Sequence, residues 1–232
     1  MKKAIAINGS PLMEKGQTAM LLASFAGGLS DAGVDVEVFY PSRLKVKPCA
    51  CGQMYCWMIK PGECCIRDDM DGLYPKMKEA DTLILATPVY VPLPGEMQKV
   101  INRLCPLINP LLETRKGRTR PKFREDVKIE RIVLVSTGGW WEKENFEVVL
   151  HIARELAENV GVEFSGALLR PHAFMMHSEG TLTDDGKAVK DAARKAGHEL
   201  ATDGTMAEAT LEAVSRPLIG EDQLREMFNR MR

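Results

Sequence analysis

The sequence predicts an α/β protein, a doubly wound parallel sheet of five strands with helices on both faces. Three observations carry that expectation. The runs Lys3–Ile7, Asp81–Thr87 and Arg131–Ser136 are short and nearly unbroken in apolar character, as strands buried on both faces are. Helical spacing of apolar residues fills the stretches between and after them, so the pattern alternates β-α-β and implies right-handed crossovers, with ligands beyond the carboxyl ends of the strands. Finally, 232 residues at 45% hydrophobic and 27% charged are enough to bury a full core.

In chain order, Lys3–Ile7 ends at a glycine-containing turn, and Gln17–Leu29 is apolar at helical spacing. Val34–Tyr40 alternates as a second strand. Helical patterns at Gly72–Glu79, Gly95–Leu104, Glu142–Asn159 and Gly186–Ala201 flank the third and fourth strands, and Ser165–Leu169 supplies the fifth. Residues 1–232 read as one domain, with a cysteine-rich loop at 48–70, a basic insertion at 112–128 and a helical carboxyl-terminal extension from about 205 to 232.

Charge and hydropathy exclude several classes of function. The 31 basic and 32 acidic side chains nearly cancel, so no whole-molecule field draws the chain to nucleic acid or an anionic membrane. The apolar stretch around Leu83–Pro94 holds three prolines and falls far short of the roughly 20 residues that a membrane span requires. The amino end, Met1-Lys2-Lys3 and four apolar residues, is broken by Asn8-Gly9-Ser10-Pro11 without a cleavage site, and reads as a strand of a cytoplasmic protein.

The loop after the first strand, residues 8–18, stands where doubly wound proteins cradle a phosphate. It lacks the Gly-Lys-Ser/Thr of a nucleoside triphosphate loop and the G-x-G-x-x-G of a dinucleotide fold. Its donors, Ser10, Gln17 and Thr18, open a helix whose free N–H groups and dipole favour an anion such as a mononucleotide phosphate. Simple capping by Ser10 or Thr18 is the alternative.

After the third strand comes Pro88-Val89-Tyr90, then Gly95-Glu96-Met97-Gln98-Lys99-Val100-Ile101-Asn102-Arg103. This resembles the P-V-Y and G-x-x-K-x-x-I-D-R signature of the flavodoxin-like NAD(P)H-dependent FMN reductases, with Gln98 where the family has Lys and Asn102 where it has Asp. The resemblance implies a flavodoxin-like fold with strand order 2-1-3-4-5. It assigns the FMN phosphate to Ser10, Pro11, Gln17 and Thr18, and the isoalloxazine to Pro88, Val89 and Tyr90. Thr137-Gly138-Gly139-Trp140 matches the third flavin loop in position. Trp140 and Trp141 are either a wall for the ring or packing anchors.

Five of six cysteines, Cys49, Cys51, Cys56, Cys64 and Cys65, fall within 17 residues, which in a cytosolic chain reads as metal ligation or redox chemistry before disulfides. A cysteine loop followed by Ile66-Arg67-Asp68-Asp69-Met70 is similar to the iron–sulfur flavoprotein branch of that family, which implies a 4Fe-4S cluster beside FMN. The spacing C-x-C-x4-C-x7-C-C departs from that branch's compact C-x2-C-x2-C. The resemblance makes Cys49, Cys51, Cys56 and either Cys64 or Cys65 the ligands. A structural zinc and a metal-free loop are the alternatives. Cys105 reads as core, Asp68-Asp69 as a helix cap, His151 and His198 as structural, and His172 as core or a proton donor.

These features imply a flavin-dependent oxidoreductase exchanging electrons between a one-electron carrier of the ferredoxin kind, or NAD(P)H, and a small-molecule two-electron acceptor. It is expected to be a homo-oligomer, dimer or tetramer, with no nucleic-acid or membrane partner. An NAD(P)H-dependent FMN or quinone reductase without a cluster is the alternative enzyme, and a redox-sensing binding protein the non-enzymatic reading. The basic insertion is a solvated loop or a docking patch for an acidic carrier, with Phe123 alone giving poor support to nucleic-acid binding.

Overall fold

The computed structural model describes residues 2–230. In chain order the elements are β1 (Lys3–Asn8), α1 (Gln17–Asp31), β2 (Asp35–Phe39), α2 (Tyr55–Met58), α3 (Met70–Glu79), β3 (Thr82–Pro88), α4 (Gly95–Asn102), β4 (Ile108–Arg115), β5 (Arg118–Phe123) and β6 (Arg131–Thr137). There follow α5 (Glu147–Val160), β7 (Glu163–Arg170), β8 (His177–Ser178), β9 (Thr181–Leu182), α6 (Asp184–Asp203), α7 (Glu208–Ser215) and α8 (Glu221–Arg230). Five strands form one parallel sheet in the order β2-β1-β3-β6-β7. These are the five expected strands in the expected 2-1-3-4-5 order, a flavodoxin-like α/β fold.

Alternation along the inner strands sends successive side chains into two separate cores. Ile5, Ile7, Leu83, Leu85, Ile132 and Leu134 meet α3, α4 and α5 on one face. On the other, Ala4, Ala6, Ile84, Ala86, Val133 and Val135 meet α1 and α6. On that second face α1 and α6 come into backbone contact: a Cβ on Gly28 would lie 1.8 Å from the Arg194 carbonyl oxygen, and one on Gly197 2.0 Å from that of Phe25. Only glycine permits two backbones to touch in this way.

The basic insertion is an antiparallel hairpin, β4 and β5, rather than an irregular loop. Its charge is also not free. Arg118 makes a two-pronged bond to Glu155 at 2.9 and 3.1 Å, Arg120 reaches the same carboxylate, and Lys116 pairs with Glu158. Arg115 donates to the carbonyls of Pro121, Glu158 and Asn159. Acids of α5 thus neutralise much of the field that a docking patch would need. The expected helical extension is present as α7 and α8, and its last two residues, Met231 and Arg232, lie outside the described residues. No helix among the described residues is long and apolar enough to cross a membrane.

Candidate functional site

Three loops leave the carboxyl ends of β1, β3 and β6, neighbouring strands of the sheet. The first is tight. Ser10 Oγ accepts the Leu12 N–H at 3.3 Å, its N–H donates to Asn8 Oδ1 at 3.0 Å, and a Cβ on Gly9 would lie 2.5 Å from that of Met97. Gly16 caps α1, whose first turn has no acid, so its dipole stays open to an anion. Thr18 and Thr137, both buried, share a hydrogen bond of 2.7 Å between their hydroxyls and so join the first loop to the third. One O–H of that pair is left without a protein acceptor among the described residues. The second loop is bound to the third by Val89 N–H donating to the Thr137 carbonyl at 2.9 Å, while Tyr90 is half exposed beyond it. Thr18, Val89 and Thr137 are therefore linked across the three loops, Ser10 holds the turn of the first, and Pro11, Pro88, Gly138 and Gly139 flank them.

Asn8, which the sequence reading passed over, is fully buried with its Nδ2 unpartnered, and Gln17 Oε1 is likewise buried and alone. A buried polar group without a partner costs about 1–3 kcal/mol. The Asn8 amide N–H, the open helix end and the spare hydroxyl are donors that fit a phosphate-bearing ligand such as FMN, whereas the Gln17 oxygen is an acceptor and suits a donor of the ligand instead. The other end of the Gln17 amide lies 3.4 Å from His177 Nδ1.

The third loop is braced from the chain beyond it. Gly138 N–H donates to the Arg170 carbonyl, and its own carbonyl accepts from Ala173. Trp140 is 59% exposed, with its ring 5.6 Å from Phe228 of α8, which in turn meets Phe174 edge-on. Trp141 donates its indole N–H to the Ile219 carbonyl at 2.9 Å. Trp141 is thus a packing anchor, whereas Trp140 keeps an exposed surface beside these loops. His172 is buried, its Nε2 accepts the Leu218 N–H at 3.0 Å, and burial together with the Arg170 guanidinium pushes its pKa down to about 4.

The cysteine loop is closed at its base by one buried ion pair. The Arg103 and Asp68 side chains are 1% and 2% exposed and meet through two bonds of 2.7 and 3.1 Å. Arg103 also donates to the carbonyls of Lys47 and Ile66, the residues just outside the first and last cysteines of the loop. Asp68 accepts the N–H groups of Lys47 and Met70, while Asp69, at the N-cap of α3, makes no side-chain cap bond, so the doublet ties down the loop base rather than capping the helix as expected. Burial acts to raise the Asp68 carboxyl, but Arg103 and those N–H groups outweigh it and hold the pKa below the usual carboxylate range. Asp69 accepts the Lys45 N–H.

All six cysteines are free. Cys56 and Cys64 are buried, Cys51 and Cys105 half-buried, Cys49 and Cys65 exposed. Cys49 and Cys51 lie 4.0 Å apart, sulfur to sulfur. The Tyr55 N–H pulls the Cys51 thiol below its ordinary pKa, whereas burial, then the neighbouring Cys105, pushes Cys56 up to about 12. Cys105 corrects the sequence reading: it is not core but faces Cys56, with Cys49, Cys51 and Cys64 also near. Among the described residues no three His, Cys, Asp or Glu side chains stand close enough to hold a single metal ion.

The model of the NADPH-dependent FMN reductase family matches residues 2–140. An iron–sulfur flavoprotein of Methanocaldococcus jannaschii is 35% identical over 107 residues, 45% of this chain and 53% of that protein. One from Archaeoglobus fulgidus is 36% identical over 106 residues, 45% of this chain and 46% of that one. The chain spans about half the length of these curated relatives. Among solved structures, an NAD(P)H:quinone oxidoreductase from Methanothermobacter marburgensis superposes with a TM-score of 0.59 at 18% identity, over 86% of this chain and 96% of that one. An FMN-dependent NADH-azoreductase from Bacillus anthracis, in complex with FMN, gives 0.57 at 12%, over 88% of this chain and all of that one. Identities this low speak for the fold alone. With residues 2–140 of 232 matched by its model and iron–sulfur flavoproteins among the curated relatives, the chain belongs to the NADPH-dependent FMN reductase family.

Proposed function

We propose that this protein is an FMN-dependent oxidoreductase that carries a 4Fe-4S cluster in its cysteine loop. It exchanges electrons between a one-electron carrier of the ferredoxin kind, or NAD(P)H, and a small-molecule acceptor. The observation that carries this reading is the meeting of β1, β3 and β6 loops at one sheet edge, linked through Thr18, Thr137 and Val89. The α4 helix that follows the second of those loops ends at Arg103, which closes the cysteine loop.

Ser10, Thr18, Thr137, Asn8 and the open end of α1 would hold the phosphate, and Pro88, Val89, Tyr90, Gly138, Gly139 and Trp140 would line the ring. When bound, FMN takes up two electrons and releases them singly, and an iron–sulfur cluster passes one at a time. The chain's own contribution is position. The hydroxyl pair fixes one loop against another, Trp140 offers an exposed aromatic surface beside the site, and His172 stays neutral and supplies no proton. The donor set of the cysteine loop, thiols alone and partly buried, fits a soft polynuclear centre. Thiolates around a cube of irons and sulfides stand farther apart than those around one ion.

Leu12, Tyr90 and Val91 are exposed apolar residues on the flavin loops and suit contact with a second copy of the chain; light scattering on the purified protein tests the homo-oligomer. The reading as a whole is tested by anaerobic purification with iron, acid-labile sulfide and flavin analysis. FMN with iron and sulfide supports it. FMN without iron leaves the cluster-free reductase, and no FMN removes the enzyme.

A further inference from the structure

We propose that Cys105, outside the cysteine loop, is one of the cluster's ligands, in a set made up of Cys51, Cys56, Cys64 and Cys105. The inference rests on the proposed cluster and deepens it. These four are the thiols that solvent does not reach freely, whereas Cys49 and Cys65 are exposed. A cluster's behaviour depends on its shielding from solvent, and ligands that face inward provide it.

Two independent features bring Cys105 to that place. The turn at Cys105–Leu107 follows α4 directly and packs beside α2, which carries Cys56, and the Trp57 indole N–H donates to the Cys105 carbonyl at 3.1 Å. The Cys105 turn is therefore fixed beside the helix that carries Cys56, and the neighbours of its thiol are Cys49, Cys56, Cys51 and Cys64, of which Cys49 alone is exposed. Two residues earlier, Arg103 binds both ends of the cysteine loop through the Lys47 and Ile66 carbonyls, so the loop and Cys105 are anchored to the same side chain. Cys105 is thus held on the rigid part of the fold, and the loop closes over it.

The spacing agrees with a ligand from elsewhere. In a compact C-x2-C-x2-C run starting at Cys49, the second and third thiols would fall at positions 52 and 55, which are Gly52 and Tyr55. The loop has shifted its thiols to Cys51 and Cys56, and a corner that the compact motif would fill locally is open to a residue from another segment.

The test compares the full-length parent with Cys105→Ser, Cys105→Ala and Cys49→Ser, each reconstituted anaerobically with ferrous iron and sulfide. Iron, sulfide and FMN per chain are measured, together with circular dichroism. Loss of iron from both Cys105 variants with FMN and fold retained, alongside full iron in Cys49→Ser, is the expected result. Parent-level iron in either Cys105 variant overturns the assignment of Cys105, and loss of iron from Cys49→Ser overturns the set. Should both Cys105 variants fail to fold, thiol alkylation of the parent decides: protection of Cys105 by bound iron upholds the ligand, and equal labelling with and without iron overturns it. A parent that takes up no iron overturns the cluster itself, and this inference with it.

Discussion

Replacing Asp68 by Asn tests the clasp on the cysteine loop most directly. The change keeps the shape and removes the charge, leaving the Arg103 guanidinium in a site where it is 1% exposed. Two charge-assisted bonds, at 2.7 and 3.1 Å, are lost or weakened. At about 1.5–3 kcal/mol each they sum to about 3–6 kcal/mol. Breaking a buried pair by removing one partner is independently expected to cost about 3–5 kcal/mol, because the remaining charge is stranded. The two routes agree, and the loss is a large share of the roughly 5–15 kcal/mol that holds a typical domain together. Urea unfolding of parent and variant, followed by tryptophan fluorescence at pH 7, measures it. A loss below about 1 kcal/mol, the range of exposed pairs, would refute the picture of a desolvated clasp. Arg216→Ala serves as the contrast, since its pair with Asp185 is exposed at 44% and 58% and should matter little.

Ser10→Ala with Thr18→Ala removes two hydroxyls from the phosphate cradle and should weaken FMN binding by about a hundredfold or more, read by fluorescence titration; retention of parent affinity would mean the cradle lies elsewhere. Cys56→Ser should lose iron and keep FMN, since the flavin loops follow other strands, and colorimetric iron analysis reports it. His172 has a folded pKa of about 4, below its unfolded value, so its contribution is complete at neutral pH and fades as the unfolded chain takes up protons on acidification. That contribution should fall by about 2 kcal/mol between pH 7 and 5. It is measured as the difference in urea stability between parent and His172→Gln at the two pH values, and a difference that does not change with pH would contradict the neutral, buried imidazole.

The five sheet strands and most helices were legible because burial on both faces writes itself as unbroken apolar runs, and α1 and α6 as apolar spacing. The loops after β1, β3 and β6 were legible as motifs. What escaped the sequence depends on partners distant along the chain. The residues around Arg115 read as a free basic patch because their counter-charges, Glu155 and Glu158, come about 40 residues later on α5. Cys105 read as core because its neighbours lie across a loop whose base is closed by contacts distant in sequence, Arg103 with Asp68 among them. Trp140 and Trp141 look alike in sequence, and only the carboxyl-terminal segment distinguishes them, by bonding one indole and leaving the other ring exposed.

The clasp also sets an order of events during synthesis. Asp68 and Arg103 are 35 residues apart. At about 5–20 residues per second, roughly 2–7 seconds pass between their emergence. Throughout that interval five thiols are already made, while the base that gathers them is incomplete. Asp68 and Asp69 can already bind the Lys47 and Lys45 N–H groups in that interval, but the Asp68 charge gains its partner only once α4 has followed β3. A fragment ending before Arg103 would carry five of the six cysteines but lack the guanidinium that neutralises Asp68 at the base of their loop.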